Sequence, residues 1–300
     1  MKVLVLGAKG FIGSHLVAYF KSKGNEVISC DVKSCPDEPN YYSVQRTDSD
    51  YSVLFENHKP DACIYAGGNG SVPLSLEQPE LDYHLNVNNV FSILQTISVY
   101  HPGCKFIHLS SAAVYGNPAS LPISEDAVIK PLSPYGWHKY LAELVCKEFY
   151  ELKKIPTCSL RIFSVYGEGL RKQLFWDIYK KSQNTNKLEL FGTGQESRDF
   201  IYIQDLSFAI DCILSSASFQ GESINVASGI ETEIKEAALS FLSHYKPSAS
   251  LQFNQHAKPG DPNNWRADIT KLKSFGFEYS ISLHNGLLQY SQWLKENESL

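Results

Sequence analysis

The sequence lacks several features that would place it in a specialised class. Its 300 residues contain no apolar run near the roughly 20 residues that a membrane-spanning helix needs. Lys and Arg number 27 against 32 Asp and Glu, and the resulting net charge of −5 disfavours binding to duplex nucleic acid. Hydrophobic residues make up 43% and charged residues 20%, a globular composition that disfavours disorder, collagen and coiled coil.

Cysteine motifs and a secretion signal are also missing. The seven cysteines are odd in number and form no Cys-x-x-Cys pair, so they predict neither a disulfide framework nor a zinc site. Several, such as Cys63, lie in strand-like apolar stretches, and we expect buried free thiols in a cytoplasmic protein. The apolar start at 3–6 is too short for a signal peptide. The nine His residues show no ligand spacing, so we expect no metal.

The first 165 residues alternate short apolar runs with helix-like segments. Continuous apolar strands separated by helices are typical of a parallel sheet covered on both faces. The predicted strands are Val3–Leu6, Val27–Cys30, Ala62–Tyr65, Lys105–Leu109 and Thr157–Ile162, and the predicted helices lie near 12–23, 50–58, 80–100 and 134–154. The sequence therefore predicts an α/β fold with a doubly wound parallel sheet in residues 1–165.

The pattern changes after about residue 166. At roughly 150 residues per domain, the length predicts about two units. We expect residues 166–300 to form mainly a smaller α/β substrate-binding unit with a cleft between it and the first. Its predicted helices lie near 172–183, 205–216 and 233–244, and its predicted strands are Leu188–Phe191, Phe200–Ile203, Ser223–Val226 and Leu251–Phe253.

A glycine-rich segment, Gly7-x-x-Gly10-x-x-Gly13, follows the first predicted strand and opens the first predicted helix. That is the position of a dinucleotide-binding loop, in which the glycines allow a tight turn, close approach of a pyrophosphate and close helix packing. The helix N-terminus then offers unpaired N–H groups to the phosphates. The alternative is a plain strand-to-helix turn.

Asp31 ends the second predicted strand, 18 residues after Gly13. A carboxylate at this place accepts hydrogen bonds from the adenosine 2′-hydroxyl and repels a 2′-phosphate, so it favours NAD over NADP. The nearby Lys33 weakens that preference.

The pattern Tyr-x-x-x-Lys occurs three times, and only one occurrence has the surroundings of a catalytic site. Tyr135 begins a predicted helix and lies 24 residues after Ser111, which ends the fourth predicted strand. Ligands bind at the carboxyl ends of strands in such sheets. The other two pairs, Tyr19/Lys23 and Tyr150/Lys154, are more typical of solvated helix faces.

The Tyr135/Lys139 spacing suits proton transfer. Residues four apart share one helix face, so Lys139 lies beside Tyr135. A neighbouring ammonium and a cationic nicotinamide both lower the pKa of a phenol from its ordinary value near 10. Ser111 can hold the reacting oxygen by a hydrogen bond.

Together these features resemble the extended short-chain dehydrogenase/reductase family, in its NAD-dependent nucleotide-sugar epimerase/dehydratase branch. The resemblance extends along nearly the whole chain. Besides the glycine-rich and Tyr135/Lys139 segments, its landmarks are Leu109-Ser-Ser111-Ala-Ala-Val-Tyr115-Gly116, Leu160-Arg161, Val165-Tyr166-Gly167, Arg198-Asp-Phe-Ile-Tyr-Ile-x-Asp205 and Pro259-Gly260-Asp261. The resemblance implies a Rossmann-type fold and a homodimer that pairs the helices near 80–100 and 134–154.

The resemblance also implies roles for individual residues. Tyr135 is the expected base, with Lys139 and Ser111 as the other catalytic residues. The residues expected to contact NAD are Gly7, Gly10, Phe11, Ile12, Gly13, Asp31, Ala66, Gly67, Gly68, Asn86, Ser110, Tyr135 and Lys139. Those expected to contact a nucleotide-diphosphate sugar are Ser71, Ser111, Tyr135, Ser164, Arg198 and Lys258. A surface ion pair with Asp199 is the alternative for Arg198.

The stretch after Ser111 distinguishes reactions within the branch. Its dehydratases carry an Asp-Glu pair there, whereas this chain has Ala112-Ala113, and methyl groups cannot transfer protons. We therefore expect a 4-epimerase that oxidises C4 transiently, and the resemblance implies a UDP-sugar as its substrate. The alternatives are a 4-keto-sugar reductase, disfavoured by Asp31, and a non-catalytic NAD sensor, disfavoured by the intact Ser111, Tyr135 and Lys139.

Overall fold

A computed structural model describes residues 1–256 and 260–298. Its central sheet has seven parallel strands in the order β10-β6-β5-β4-β1-β2-β3. Their bounds are β1 (Lys2–Leu6), β2 (Glu26–Asp31), β3 (Tyr41–Ser43), β4 (Ala62–Tyr65), β5 (Lys105–Ser111), β6 (Thr157–Ile162) and β10 (Gln220–Val226). The predicted Rossmann-type sheet is confirmed.

Helices cover both faces of this sheet, since its strands are apolar on both sides. Val3 and Val5 of β1 belong to one hydrophobic cluster, whereas Leu4 and Leu6 belong to another, because side chains alternate along a strand. The helices in this part of the chain are α1 (Phe11–Ser22), α2 (Ser52–His58), α3 (Val72–Glu77), α4 (Pro79–Tyr83), α5 (Asn89–Tyr100) and α6 (Pro134–Lys153).

The helix expected near 80–100 is not a single regular helix. A π-helical turn at His84–Asn88 separates α4 from α5. Such a turn widens the backbone hydrogen-bonding pattern locally and is frequent at functional sites. Here it contains the buried side chain of Asn86.

Two smaller sheets follow in the second half of the chain. The first contains β7 (Ser164–Tyr166), β9 (Ser197–Tyr202) and β11 (Glu231–Glu233), and the second contains β8 (Lys187–Leu190) and β12 (Ser250–Phe253). The helices here are α7 (Gln173–Asn184), α8 (Ile203–Ser216), α9 (Ile234–Tyr245), α10 (Thr270–Ser274) and α11 (Leu283–Asn297).

The chain returns to the central sheet after the second unit has begun. Strand β10 pairs in parallel with β6, from Gln220↔Thr157 to Val226↔Ile162. Residues beyond 166 therefore complete the sheet that the first unit begins. Among the helices of residues 1–256 and 260–298, none has the length and apolar character that crossing a bilayer requires.

Candidate active site

The glycine-rich loop connects β1 to α1 at the carboxyl edge of the sheet. Gly7 has a φ of +88°, a backbone conformation that favours glycine. A Cβ on Gly7 would lie 2.6 Å from the carbonyl carbon of Ala66, and one on Gly13 would lie 2.0 Å from the carbonyl oxygen of Gly7. Phe11 and Ile12 are half-buried in the first turn of α1. Only glycine fits at positions 7 and 13, and the loop that they form leads directly into the N-terminus of α1, whose free N–H groups can bind phosphate.

Asp31 lies beside this loop at the end of β2. Its carboxylate accepts hydrogen bonds from the backbone N–H of Lys9 at 2.8 Å and of Lys33 at 3.1 Å. The side chain of Lys9 pairs with Glu38, so its charge is already partnered. Asp31 therefore presents a fixed carboxylate next to the phosphate-binding loop, the arrangement expected of an adenosine-ribose contact.

Ser111, Tyr135 and Lys139 come together at the carboxyl end of β5. Ser111 is the last residue of β5, and its Oγ accepts a hydrogen bond from the Ala113 N–H at 3.2 Å, so its own O–H can donate elsewhere. Ser133 caps α6 by accepting from the Gly136 N–H at 3.2 Å, which places Tyr135 in the first turn of the helix.

Lys139 is held against both Tyr135 and β5. Its Nζ donates to the carbonyl oxygen of Leu109 at 2.8 Å and lies 5.8 Å from the centre of the Tyr135 ring. Burial lowers the pKa of Lys139 to about 8. Burial raises the pKa of Tyr135 to about 12, and the Ser111 hydroxyl opposes that rise. The Tyr135 phenol therefore keeps its proton at neutral pH, with the Lys139 Nζ next to its ring.

The loop after β4 passes between Lys139 and the π-helical turn at His84–Asn88. A Cβ on Gly68 would lie 2.4 Å from Asn86 Oδ1 and 3.3 Å from Lys139 Nζ. Asn86 Oδ1 is buried and has no hydrogen-bond partner among the described residues. Only a residue without a side chain leaves this acceptor open, so Gly68 and Asn86 together form a small cradle for a donor group.

The geometry of these segments fits a bound dinucleotide. A Cβ on Gly7 or Gly13 would collide with neighbouring backbone, Asp31 is fixed at the end of β2, and the unpartnered Asn86 Oδ1 faces the space over Gly68. These features lie along one edge of the parallel sheet, where ligands bind in doubly wound folds.

Comparison with known proteins agrees with this geometry. A model of the NAD dependent epimerase/dehydratase family matches residues 3–227. The chain belongs to this family. NAD is accordingly its cofactor, as expected from Asp31.

Several similar proteins match at least nine tenths of this chain. UDP-glucose 4-epimerase of Lactobacillus helveticus is 28% identical over 91% of this chain and 90% of its own. The Mycolicibacterium smegmatis enzyme of that name is 25% identical over 98% of this chain and 99% of its own. The crystal structure of UDP-glucuronic acid 4-epimerase from Bacillus cereus, with UDP-glucuronic acid and NAD, has a TM-score of 0.88, 28% identity and 99% coverage of both chains.

Arg198 lies on β9 of the second unit. Its guanidinium donates to the carbonyl oxygens of Ser197 at 2.8 Å and Asn263 at 3.1 Å, and lies 4.0 Å from Asp261. Next to Asp261, a Cβ on Gly260 would lie 3.8 Å from Ser133 Cβ, at the start of α6. Residues 260–261 therefore lie between Arg198 and the N-terminus of α6, the helix that carries Tyr135 and Lys139.

An ion pair between Arg198 and Asp199, the alternative for this arginine, is wrong. The Asp199 carboxylate instead accepts hydrogen bonds from the N–H groups of Ser228, Gly229 and Ala267, at 2.8, 3.0 and 3.1 Å. Adjacent residues of a strand point to opposite faces of the sheet, so the side chains of Arg198 and Asp199 point away from each other. Asp199 fixes the loops that surround Arg198.

The remaining predicted substrate residues have simpler surroundings. Ser71 caps α3, accepting from the Leu74 N–H at 3.3 Å, and follows the Gly68 cradle. Ser164 begins β7 and is the strand partner of Phe200 on β9; Phe200 lies two residues after Arg198. Lys258 lies outside the described residues.

The sequence reasoning named Asn86 but missed the other members of a polar cluster beside α6. The cluster surrounds Asp82, whose buried carboxylate contacts Asn69, Asn86 and His138. Lys172 also approaches the site, donating to the Gly70 carbonyl oxygen at 3.2 Å. The available signals were weak: Asp82 lies one helical turn before Asn86, and His138 lies within the Tyr-x-x-x-Lys segment.

Proposed function

We propose that this family member is an NAD-dependent nucleotide-sugar 4-epimerase that acts on a UDP-sugar. The observation that carries the proposal is the intact group of Ser111, Tyr135 and Lys139 followed by Ala112 and Ala113, which provide no further acid. A 4-epimerase needs one proton carrier at C4 and no second one for water elimination. Relatives described as UDP-sugar 4-epimerases support the substrate class.

The chain's own residues supply the proton transfer. Tyr135 accepts the proton of the C4 hydroxyl and returns it to the same oxygen at the end of the cycle. The Ser111 O–H, whose oxygen is already engaged by Ala113, donates to that oxygen and steadies its developing charge. Lys139, with its pKa lowered to about 8, still carries its charge at pH 7 and favours the Tyr135 phenolate. Bound NAD supplies reversible hydride transfer at C4.

Arg198 is the proposed contact for the substrate diphosphate. Its fork of N–H donors matches phosphate oxygens, and its Cζ lies 5.5 Å from the centre of the Trp265 ring, a cation–π contact that helps to hold the guanidinium in place. Lys258, Ser71 and Ser164 are proposed as further substrate contacts. Residues 1–165 form the proposed cofactor unit, completed by β10, and residues 166–300 supply mainly the substrate unit.

A homodimer is proposed through the outer face of α6. Trp137, Leu141 and Leu144 follow one another at helical spacing and are 49%, 36% and 43% exposed. Phe91 on the neighbouring α5 is 46% exposed and touches Phe149 edge-on. Such an apolar face needs a partner surface. Light scattering at micromolar concentration should give twice the chain mass, and a monomer would contradict the proposal.

A cytoplasmic location is also proposed. All seven cysteines are free, and five of them are buried, as suits a reducing compartment. Fractionation of the native host with a tagged chain tests it; recovery from an oxidising compartment would contradict it.

Substrate panels test the proposed reaction. The purified protein is incubated with UDP-, dTDP-, GDP- and CDP-sugars, and the 4-epimers are separated by chromatography. Interconversion of a UDP-sugar pair, such as UDP-glucose with UDP-galactose, without net use of added NAD(H) supports the proposal. Stoichiometric consumption of NADH or NADPH with a 4-keto-sugar would instead identify a reductase.

A further inference from the structure

Asp82 is a buried carboxylate that the catalytic roles above leave unused. Its side chain is fully shielded from solvent, at the end of α4 and just before the π-helical turn. Oδ1 accepts hydrogen bonds from Asn69 Nδ2 at 2.5 Å and Asn86 Nδ2 at 2.9 Å, and Oδ2 contacts His138 Nδ1 at 2.5 Å. A buried carboxylate is costly unless it is well hydrogen-bonded, and here three side chains from three segments converge on it.

The contacts of Asp82 fix the orientation of the Asn86 amide. An ionised carboxylate only accepts hydrogen bonds, so the Asn86 NH₂ group must face Asp82. The carbonyl Oδ1 then points away from Asp82, toward Gly68, where it is buried and unpartnered among the described residues. A hydroxyl or amide donor over Gly68 would satisfy it. Without Asp82, either end of the amide could face that space.

Asp82 also adds a negative charge beside the catalytic pair. Burial is the largest influence on both pKa values, raising that of Tyr135 and lowering that of Lys139; the charge of Asp82 raises both of them, whereas the ammonium of Lys172 lowers that of Lys139. Other charged or titratable groups near the cluster are His138, in direct contact, Tyr83 against the His138 ring, buried His108 beside Lys139, and Glu143, one helical turn beyond Lys139. Asp82 thus places a buried negative charge between the Gly68/Asn86 cradle and α6.

We propose that Asp82 is a positioning residue: it turns the Asn86 carbonyl oxygen toward a hydroxyl or amide donor of the bound dinucleotide and places a negative charge beside Tyr135 and Lys139. The orientation of Asn86 does not depend on the proposed function, whereas the effect of the charge on Tyr135 and Lys139 rests on it. Asn69 links the same carboxylate to Ser71, a proposed substrate contact. Its amide donates to the Ser71 carbonyl oxygen and accepts from the Ser71 N–H, both at 3.0 Å.

The test uses the full chain with Asp82→Asn, which keeps the shape and removes the charge. The dissociation constant for NAD should rise about tenfold, the size of one lost oriented hydrogen bond. The acid limb of the kcat–pH profile should move to lower pH, because loss of the negative charge lowers the pKa of Tyr135. A purely structural role would lower the melting temperature without moving that limb.

Two further variants make the outcome decisive. Asn86→Leu removes the acceptor but keeps the charge, so NAD affinity should fall while the acid limb stays in place. The control is Asp211→Asn, which removes a carboxylate on α8 that accepts a 3.0 Å hydrogen bond from the Tyr19 hydroxyl on α1. In this variant both the NAD affinity and the acid limb should stay at wild-type values. Unchanged NAD affinity or an unmoved acid limb in Asp82→Asn would overturn the proposal, as would equal changes in Asp211→Asn. If Asp82→Asn does not fold, wild-type NAD affinity in Asn86→Leu would overturn it.

Failure of the proposed function has a different signature. Wild-type protein that binds NAD but converts no sugar contradicts the epimerase assignment. The NAD affinities of Asp82→Asn and Asn86→Leu still decide whether Asp82 orients Asn86, because they require no turnover.

Discussion

The hydroxyl of Ser110 donates a 2.6 Å hydrogen bond to Glu143, and this bond joins the residue before Ser111 to the helix that carries Tyr135 and Lys139. Arg161 on β6 binds the same carboxylate, with Nη2 2.8 Å from Oε2. All three side chains are buried. The Ser110–Glu143 hydrogen bond and the Arg161–Glu143 ion pair therefore tie β5 and β6 to α6, the helix that carries Tyr135 and Lys139.

Breaking the buried Arg161–Glu143 pair should be strongly destabilising. Arg161→Met leaves the Glu143 carboxylate without its main counter-charge, and the free energy of unfolding should fall by roughly 3–5 kcal/mol in urea titrations. The double variant Arg161→Met/Glu143→Leu removes both charges and should recover much of that loss. A single-variant loss below about 1 kcal/mol would contradict the importance of the pair.

Tyr135→Phe should abolish most of the activity. Loss of the proton carrier should lower kcat by about 10²- to 10⁴-fold while NAD still binds. The matched control is Tyr150→Phe, which alters the other late Tyr-x-x-x-Lys pair, where Lys154 lies 5.1 Å from the Tyr150 ring centre. Epimer formation is measured by chromatography, and full turnover by Tyr135→Phe would show that the mechanism is wrong.

The NAD-free protein should carry a pH-dependent cost at Lys139. Burial lowers its pKa from 10.5 to about 8, so the native state must keep a buried ammonium below pH 8, whereas the unfolded chain keeps the proton up to pH 10.5. Stability therefore rises between these two values, as the unfolded state binds more protons.

The variant Lys139→Met tests that cost. It should stabilise the NAD-free protein at pH 7 by roughly 1–3 kcal/mol, after the lost hydrogen bond to Leu109 is counted. The advantage should shrink by about 2 kcal/mol at pH 9.5. Urea unfolding at both pH values measures it. An advantage that grows with pH would contradict the sign, and Lys153→Met on the exposed end of α6 serves as the control.

Gly13→Ala should displace the glycine-rich loop from its position. The added Cβ would lie 2.0 Å from the carbonyl oxygen of Gly7, so the loop must shift and NAD affinity should fall by at least tenfold. Gly103→Ala adds the same methyl group where no atom lies within 4 Å and should bind NAD normally. Isothermal titration of both variants decides the point; normal affinity in Gly13→Ala would show that the loop does not hold the dinucleotide.

Arg198→Met should weaken substrate binding more than turnover. Charged hydrogen bonds to phosphate contribute about 1.5–3 kcal/mol, so KM should rise roughly 10- to 100-fold with kcat within a few-fold of the wild type. Arg171→Met removes an exposed arginine that pairs with Glu298, and it should leave KM unchanged. Equal KM values for the two variants would exclude Arg198 as the diphosphate contact.

The sequence determined the features that depend on neighbouring residues. The apolar runs identified the five strands β1, β2, β4, β5 and β6, because burial on both faces leaves no alternation. The glycine spacing and the Tyr135/Lys139 spacing are local motifs, and so they could be recognised without coordinates. The same reasoning placed Ser111 at a strand end and Asp31 beside the loop.

Tertiary structure decided what depends on residues distant in the chain. Strand β10 joins β6 from 63 positions away, counted from Gln220 to Thr157, and no local pattern states that partnership. Arg161 was expected only as a landmark, yet its role comes from Glu143 on another element. The Asp82 cluster and the lowered pKa of Lys139 arise from burial, which a sequence does not contain, because desolvation depends on the atoms that the fold packs around a charge.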